Sequence, residues 1–175
     1  MWYLNRGTGL VLLVLFTLTT VGGVLSTSRA TPRWWPRFLT QGLHRSLGLL
    51  SVTLLALHVV TAVVDEFVDI RWWQALLPFG ATYKAAFLSL GTLALDLTLA
   101  VVVTSLLRGR LSVGAWRAVH LTSYVAWLVA VVHAWGIGTD SSLPLGRGVL
   151  IGCGGLVGLA ITARVAILRH EEVLV

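Results

Sequence analysis

The sequence predicts an all-α integral membrane protein, a bundle of five transmembrane helices. Three observations carry that prediction. Hydrophobic residues make up 57% of the 175 positions and charged residues only 11%, against roughly 25% charged in a soluble domain. The apolar residues gather in five runs, each long enough to cross a hydrocarbon layer of about 30 Å as a helix. The basic residues concentrate in alternate connectors between those runs. A backbone surrounded by lipid must satisfy its own hydrogen bonds, and runs of this length without the alternation of barrel strands do so as helices.

The spans fall at about 7–26, 43–64, 85–107, 116–136 and 146–168. The connector after the first carries Arg29, Arg33 and Arg37 and is followed by Arg45; the one after the third carries Arg108, Arg110 and Arg117. By the positive-inside tendency both are cytoplasmic. Residues 65–84 set Asp65, Glu66 and Asp69 against Arg71 and Lys84, and residues 137–147 hold only Asp140 and Arg147, which suits the outer side. The N-terminus is therefore expected outside and the C-terminus, with Arg169, in the cytoplasm. A competing reading makes the first span a signal peptide cleaved after "STSRA". Its apolar run is long for such a segment, and its positive charges follow the run instead of preceding it. Trp2, Trp34, Trp35, Trp72, Trp73, Trp116 and Trp135 fall near the expected membrane edges, where tryptophan is enriched. Trp127 falls at mid-bilayer.

Residues 1–175 are read as one domain with membrane lipid as surroundings, and the bacterial cytoplasmic membrane is the expected location. The net charge of +6 sits between apolar spans, so topology explains it and nucleic-acid binding is not expected. Cys153 is the single cysteine, which excludes a disulfide framework or a thiolate metal site. The glycine-rich "RGVLIGCGGLVGLA" has no strand before it, so it reads as a helix-packing surface and not as a nucleotide loop.

Four histidines stand out. His44 and His58 are 14 apart on the second span; His120 and His133 are 13 apart on the fourth. The two spans run in the same direction, so His44 shares a depth with His120 and His58 with His133. At about 1.5 Å per residue the two pairs lie roughly 20 Å apart, one near each membrane face. Two imidazoles facing each other across a helix gap can ligate one haem iron from both sides, and such a closed site carries electrons instead of binding a substrate. Two b-type haems are the expected cofactors. Arg45 follows His44, and Arg117 lies one turn before His120, placing cations beside the inner pair; Arg71, Lys84 and Arg147 are candidates for the outer one. A 14-residue spacing falls about 40° short of whole turns and a 13-residue spacing about 140° short. The fourth helix must compensate by supercoiling, a π-type bulge or a frayed start at His120. The alternative is a histidine-lined metal or proton transporter without haem; such a site would more often mix histidine with carboxylates near one midplane.

The segments "QGLHRSLGLLSVTLLALH" and "WRAVHLTSYVAWLVAVVHAWGIGTD" closely resemble the two haem-binding helices of the ferric reductase-like transmembrane domain family. This family includes the membrane parts of NADPH oxidases, ferric reductases and the bacterial haem subunit of periplasmic methionine sulfoxide reductase. The resemblance implies His44 and His120 as inner haem ligands and His58 and His133 as outer ones. It implies electron transfer across the membrane to ferric iron, oxygen or a periplasmic redox protein. Members often have six spans, and here the first looks missing. The flavin and nicotinamide domains that follow the last span in the oxidases are absent after Arg169, so no FAD or NAD site is expected. The electron donor is then a separate flavoprotein or other reductase, or quinol.

Further residues are weighed beside these. Trp127, between His120 and His133, is either an aromatic between the haems, as the family has there, or a core tryptophan whose indole bonds a hydroxyl. Ser51, midway between His44 and His58, is expected to face the same gap. Asp96 is the one acid deep in a span, a candidate for orienting a ligand or moving protons, or a structural protonated acid. His170, beside Glu171 and Glu172, reads as a solvated tail residue. The oligomeric state is not legible.

Overall fold

The computed structural model describes residues 1–26, 37–65, 68 and 70–173. Arg29, Arg33, Trp34, Trp35, Glu66 and Asp69 lie outside the described residues, as do the side chains of Arg37, His170, Glu171 and Glu172. Six α-helices follow in order: α1 (Trp2–Ser26), α2 (Arg37–Val64), α3 (Trp72–Leu76), α4 (Ala85–Leu106), α5 (Val113–Ile137) and α6 (Pro144–Val173). All but α3 are long and apolar enough to cross a membrane, so the chain has the build of an integral, multi-pass membrane protein. Single 3-10 turns, Arg108–Arg110 and Asp140–Ser142, sit between α4 and α5 and between α5 and α6. Among the described residues there is no strand.

The long helices other than α4 overrun the predicted apolar runs. α1 starts at Trp2, five residues early, because the polar residues there have partners inside the fold. Asn5 Nδ2 donates to His58 O at 2.9 Å and to Thr61 Oγ1 at 3.2 Å on α2, and Arg6 forms an ion pair with Asp140. The short α3 was not expected. Gln74, buried on it, makes the segment cohere: its side chain accepts from the Arg71 backbone N–H and donates to Gly80 O, and its own carbonyl accepts from Thr92 of α4. Gly80 turns the chain with φ of 74°, close under the Trp73 ring.

α1 is the hub of the bundle. It packs along α2 and also against α5 and α6, while α4 packs along α5. Its buried stripe, Leu13, Thr17, Thr20 and Val24, recurs at helical spacing. The threonine hydroxyls in it are satisfied by carbonyls one turn back, Thr17 to Leu13 O at 2.8 Å and Thr20 to Phe16 O at 2.9 Å, so a polar side chain can be buried in an apolar layer at little cost. α6 buries Cys153, Val157 and Ala160, which makes Cys153 a packing residue; Arg164 Nη1 donates to Val24 O in the last turn of α1, 3.3 Å away. Among the described residues α2 and α5, the two histidine helices, have no extended packing of their own. They are held opposite each other by their flanking helices.

Candidate functional site

The four histidines meet in the two expected pairs. His44 of α2 and His120 of α5 have ring centroids 6.1 Å apart with planes at 66°. His58 and His133, farther along the same two helices, lie within electrostatic reach of each other. Among the described residues no group of three or more His, Cys, Asp or Glu side chains converges on one point; the histidines come together in twos.

Each pair is held from behind. His44 Nδ1 donates to Thr19 O of α1 at 3.0 Å, His58 Nδ1 to Asn5 O of α1 at 3.2 Å, and His133 Nδ1 to Phe87 O of α4 at 2.7 Å. A carbonyl oxygen can only accept, so the proton of each of these three rings is on Nδ1 and the lone pair is on Nε2. This is the outer-shell bond that metal-bound histidines ordinarily make, and it fixes both tautomer and ring orientation. His120 differs: among the described residues the partner of its Nδ1 is the Ser105 hydroxyl, 3.5 Å away, and its ring is stacked on Trp116, centroids 4.9 Å apart and 27° between planes.

Glycines make room for these rings. A Cβ placed on Gly9 would come within 3.0 Å of the His58 ring, one on Gly23 within 3.3 Å of His44, and one on Gly91 within 2.5 Å of His133. Without these close approaches, α1 and α4 could not bring their carbonyls to the imidazoles. Gly9, Gly23, Gly91, Asn5, Thr19 and Phe87 were all missed in the sequence reading. One signal for two of them was present: Gly9 and Gly23 are 14 apart, the same spacing as His44 and His58 on the antiparallel neighbour.

The donor set fits haem. Two iron–nitrogen bonds of about 2 Å, with about 1 Å more from each nitrogen to its ring centre, span about 6 Å between centroids, and the His44–His120 pair has that separation. A buried donor without an acceptor among the described residues, Trp116 Nε1, lies beside the same pair, where a propionate would satisfy it. Arg45 and Arg117, the cations expected there, are exposed. Arg108 has its guanidinium 4.6 Å over the ring of Trp116, which stacks on His120.

At the other end Lys84 is engaged by the last turn of α5, donating to Gly136 O and Ile137 O, and Arg71 and Arg147 are exposed. Arg6, beside Asn5 and stacked 4.2 Å over Trp2, is the cation nearest in sequence to a residue that holds the His58–His133 pair. Trp127 is buried and donates from Nε1 to Thr17 Oγ1 of α1 at 2.9 Å, the hydroxyl bond considered for a core tryptophan. Ser51 is buried and turned to α1, 3.4 Å from the Thr19 hydroxyl. Asp96 is half-buried, and among the described residues no hydrogen bond or ion pair reaches its carboxylate.

α5 is α-helical without interruption from Val113 to Ile137, which removes both a π-bulge and a frayed start as the means of accommodating the 13-residue spacing. His120 lies two turns inside the helix, and its side chain, laid against Trp116, takes part of the difference.

Comparison with curated proteins finds no match. A family model described as "Ferric reductase like transmembrane component" matches residues 7–131, which include His44, His58 and His120 and stop just before His133. With most of its length matched and its histidine helices paired in this way, the chain belongs to the ferric reductase-like transmembrane family.

Proposed function

We propose that this chain is a transmembrane di-haem b-type cytochrome that moves electrons from the cytoplasmic face, or from quinol, to an acceptor at the outer face. The observation that carries the reading is the carbonyl bond made by Nδ1 of His44, His58 and His133, which leaves the lone pair of each ring on Nε2. Haem iron at each pair supplies one-electron redox chemistry. The protein's part is to hold the four imidazoles at fixed angles, so that little reorganises when charge arrives, and to keep the space between α2 and α5 apolar. The family match supports membrane electron transfer in general; the haem count, the inward-to-outward direction and the acceptor, whether ferric iron, oxygen or a periplasmic redox protein, are ours. A separate flavoprotein or other reductase, or membrane quinol, supplies the electrons.

Vesicles containing the protein, with dithionite trapped inside and a ferric chelate outside, test this reading. Ferrous iron should form outside only when haem-loaded protein is present, and His58→Ala should abolish it. Vesicles that pass zinc or protons but no electrons would favour the histidine-lined transporter instead.

A further inference from the structure

Three of the four histidines are held by a backbone carbonyl, at 2.7 to 3.2 Å. The fourth is not. The Ser105 hydroxyl stands 3.5 Å from His120 Nδ1, the outer limit for such a bond. An imidazole with no firm outer-shell partner turns about its side-chain bonds and ligates poorly. Yet His120 sits opposite His44 at a separation that suits one iron.

A column of three side chains provides what the hydrogen bond does not. Arg108, in the 3-10 turn before α5, places its guanidinium 4.6 Å over one side of the Trp116 ring, and Trp116 stacks on His120 with centroids 4.9 Å apart. Trp116 and His120 are four residues apart on α5, the spacing at which helix side chains meet. The first turn of the helix is pinned by Ser112, whose hydroxyl accepts from the Ala115 N–H. Stacking of this kind adds an attraction beyond buried area, and a cation over the Trp116 ring adds a further one.

We propose that Trp116 is the positioning residue of the inner pair: in contact with both Arg108 and His120, it holds the His120 imidazole in the ligating orientation that backbone carbonyls enforce on the other three histidines. This inference rests on the di-haem reading and refines it. It makes the inner site the one whose ligand is held by a loop-anchored stack, and therefore the one that responds to changes in the α4–α5 connector.

Carbon monoxide provides the test, because it binds ferrous haem only where an axial ligand is lost. In the purified full-length protein, Trp116→Leu should let CO bind about half of the haem and give a high-spin signal in the oxidised form. Wild type, Trp116→Phe, which restores a stacking ring, and Ser105→Ala should remain low-spin and inert to CO. Should Trp116→Leu fail to accumulate, Trp116→Met is read in the same way. A Trp116→Leu or Trp116→Met protein as inert as wild type overturns the proposal, as does a Ser105→Ala protein that opens equally. A wild-type preparation without haem would instead overturn the cytochrome reading beneath it.

Discussion

A Cβ added to Gly91 of α4 would stand 2.5 Å from Cε1 and 2.6 Å from Nδ1 of His133 on α5. Gly91 is therefore the place where α4 comes close enough for Phe87 O to accept from His133 Nδ1 at 2.7 Å. The same relationship recurs at Gly9 with His58 and Gly23 with His44, in decreasing tightness.

That gradient gives the first prediction. Gly91→Ala should expel the ring and lose about half of the bound haem, since one of two sites is disabled. Gly9→Ala, whose Cβ would stand 3.0 Å from the His58 ring, should show a partial loss, Gly23→Ala, at 3.3 Å from His44, a smaller one, and Gly22→Ala, at 3.9 Å, none. Haem per protein, measured from pyridine haemochrome spectra, orders the four. An effect of Gly22→Ala equal to that of Gly91→Ala would reject a steric origin.

His58→Ala and His133→Ala should each remove the outer haem while leaving an inner haem that dithionite still reduces. His44→Ala and His120→Ala should do the converse. Haem content and a redox titration check this; unchanged haem in both outer variants would refute the pairing of α2 with α5.

Trp127→Phe deletes the indole donor to Thr17 while keeping an aromatic ring. Interhelical hydrogen bonds in membranes average about 0.6 kcal/mol and reach about 1.7, so unfolding in detergent should show a loss of about 1 kcal/mol with haem content retained. Thr17→Val should cost a similar amount, and the double variant should cost less than the two losses added. Additive losses would mean that the contact contributes nothing.

Asn5 locks α1 to α2 in both directions, accepting from His58 Nδ1 and donating to His58 O and Thr61 Oγ1. Asn5→Leu keeps the carbonyl but removes both donor bonds. We predict a stability loss of about 1–2 kcal/mol and a small change in the low-spin spectrum of the outer haem. A variant identical to the parent in both respects would show that the carbonyl alone is enough.

Much of this was legible because membrane burial writes itself into composition. Apolar length was enough to find the five spans, with the start of α1 extended where Asn5 and Arg6 found partners. The histidine pairs were legible because imidazoles are rare in apolar runs and two matched spacings are hard to produce by packing alone. What holds the histidines was not. Backbone carbonyls of Asn5, Thr19 and Phe87 leave no mark in a one-letter sequence, and Gly91 looks like any helix-packing glycine until the helix it faces is known. Arg108 and Trp116 had been read separately, as topology and as membrane belt. Only the turn that joins α4 to α5 brings them over one histidine.

The central claim is that four histidines hold two irons. Purified protein from haem-replete cells, quantified for haem and protein and reduced with dithionite, tests it most directly. The account predicts about two haems per chain with the bands of low-spin b-type cytochrome. A colourless, haem-free preparation of folded protein would contradict it.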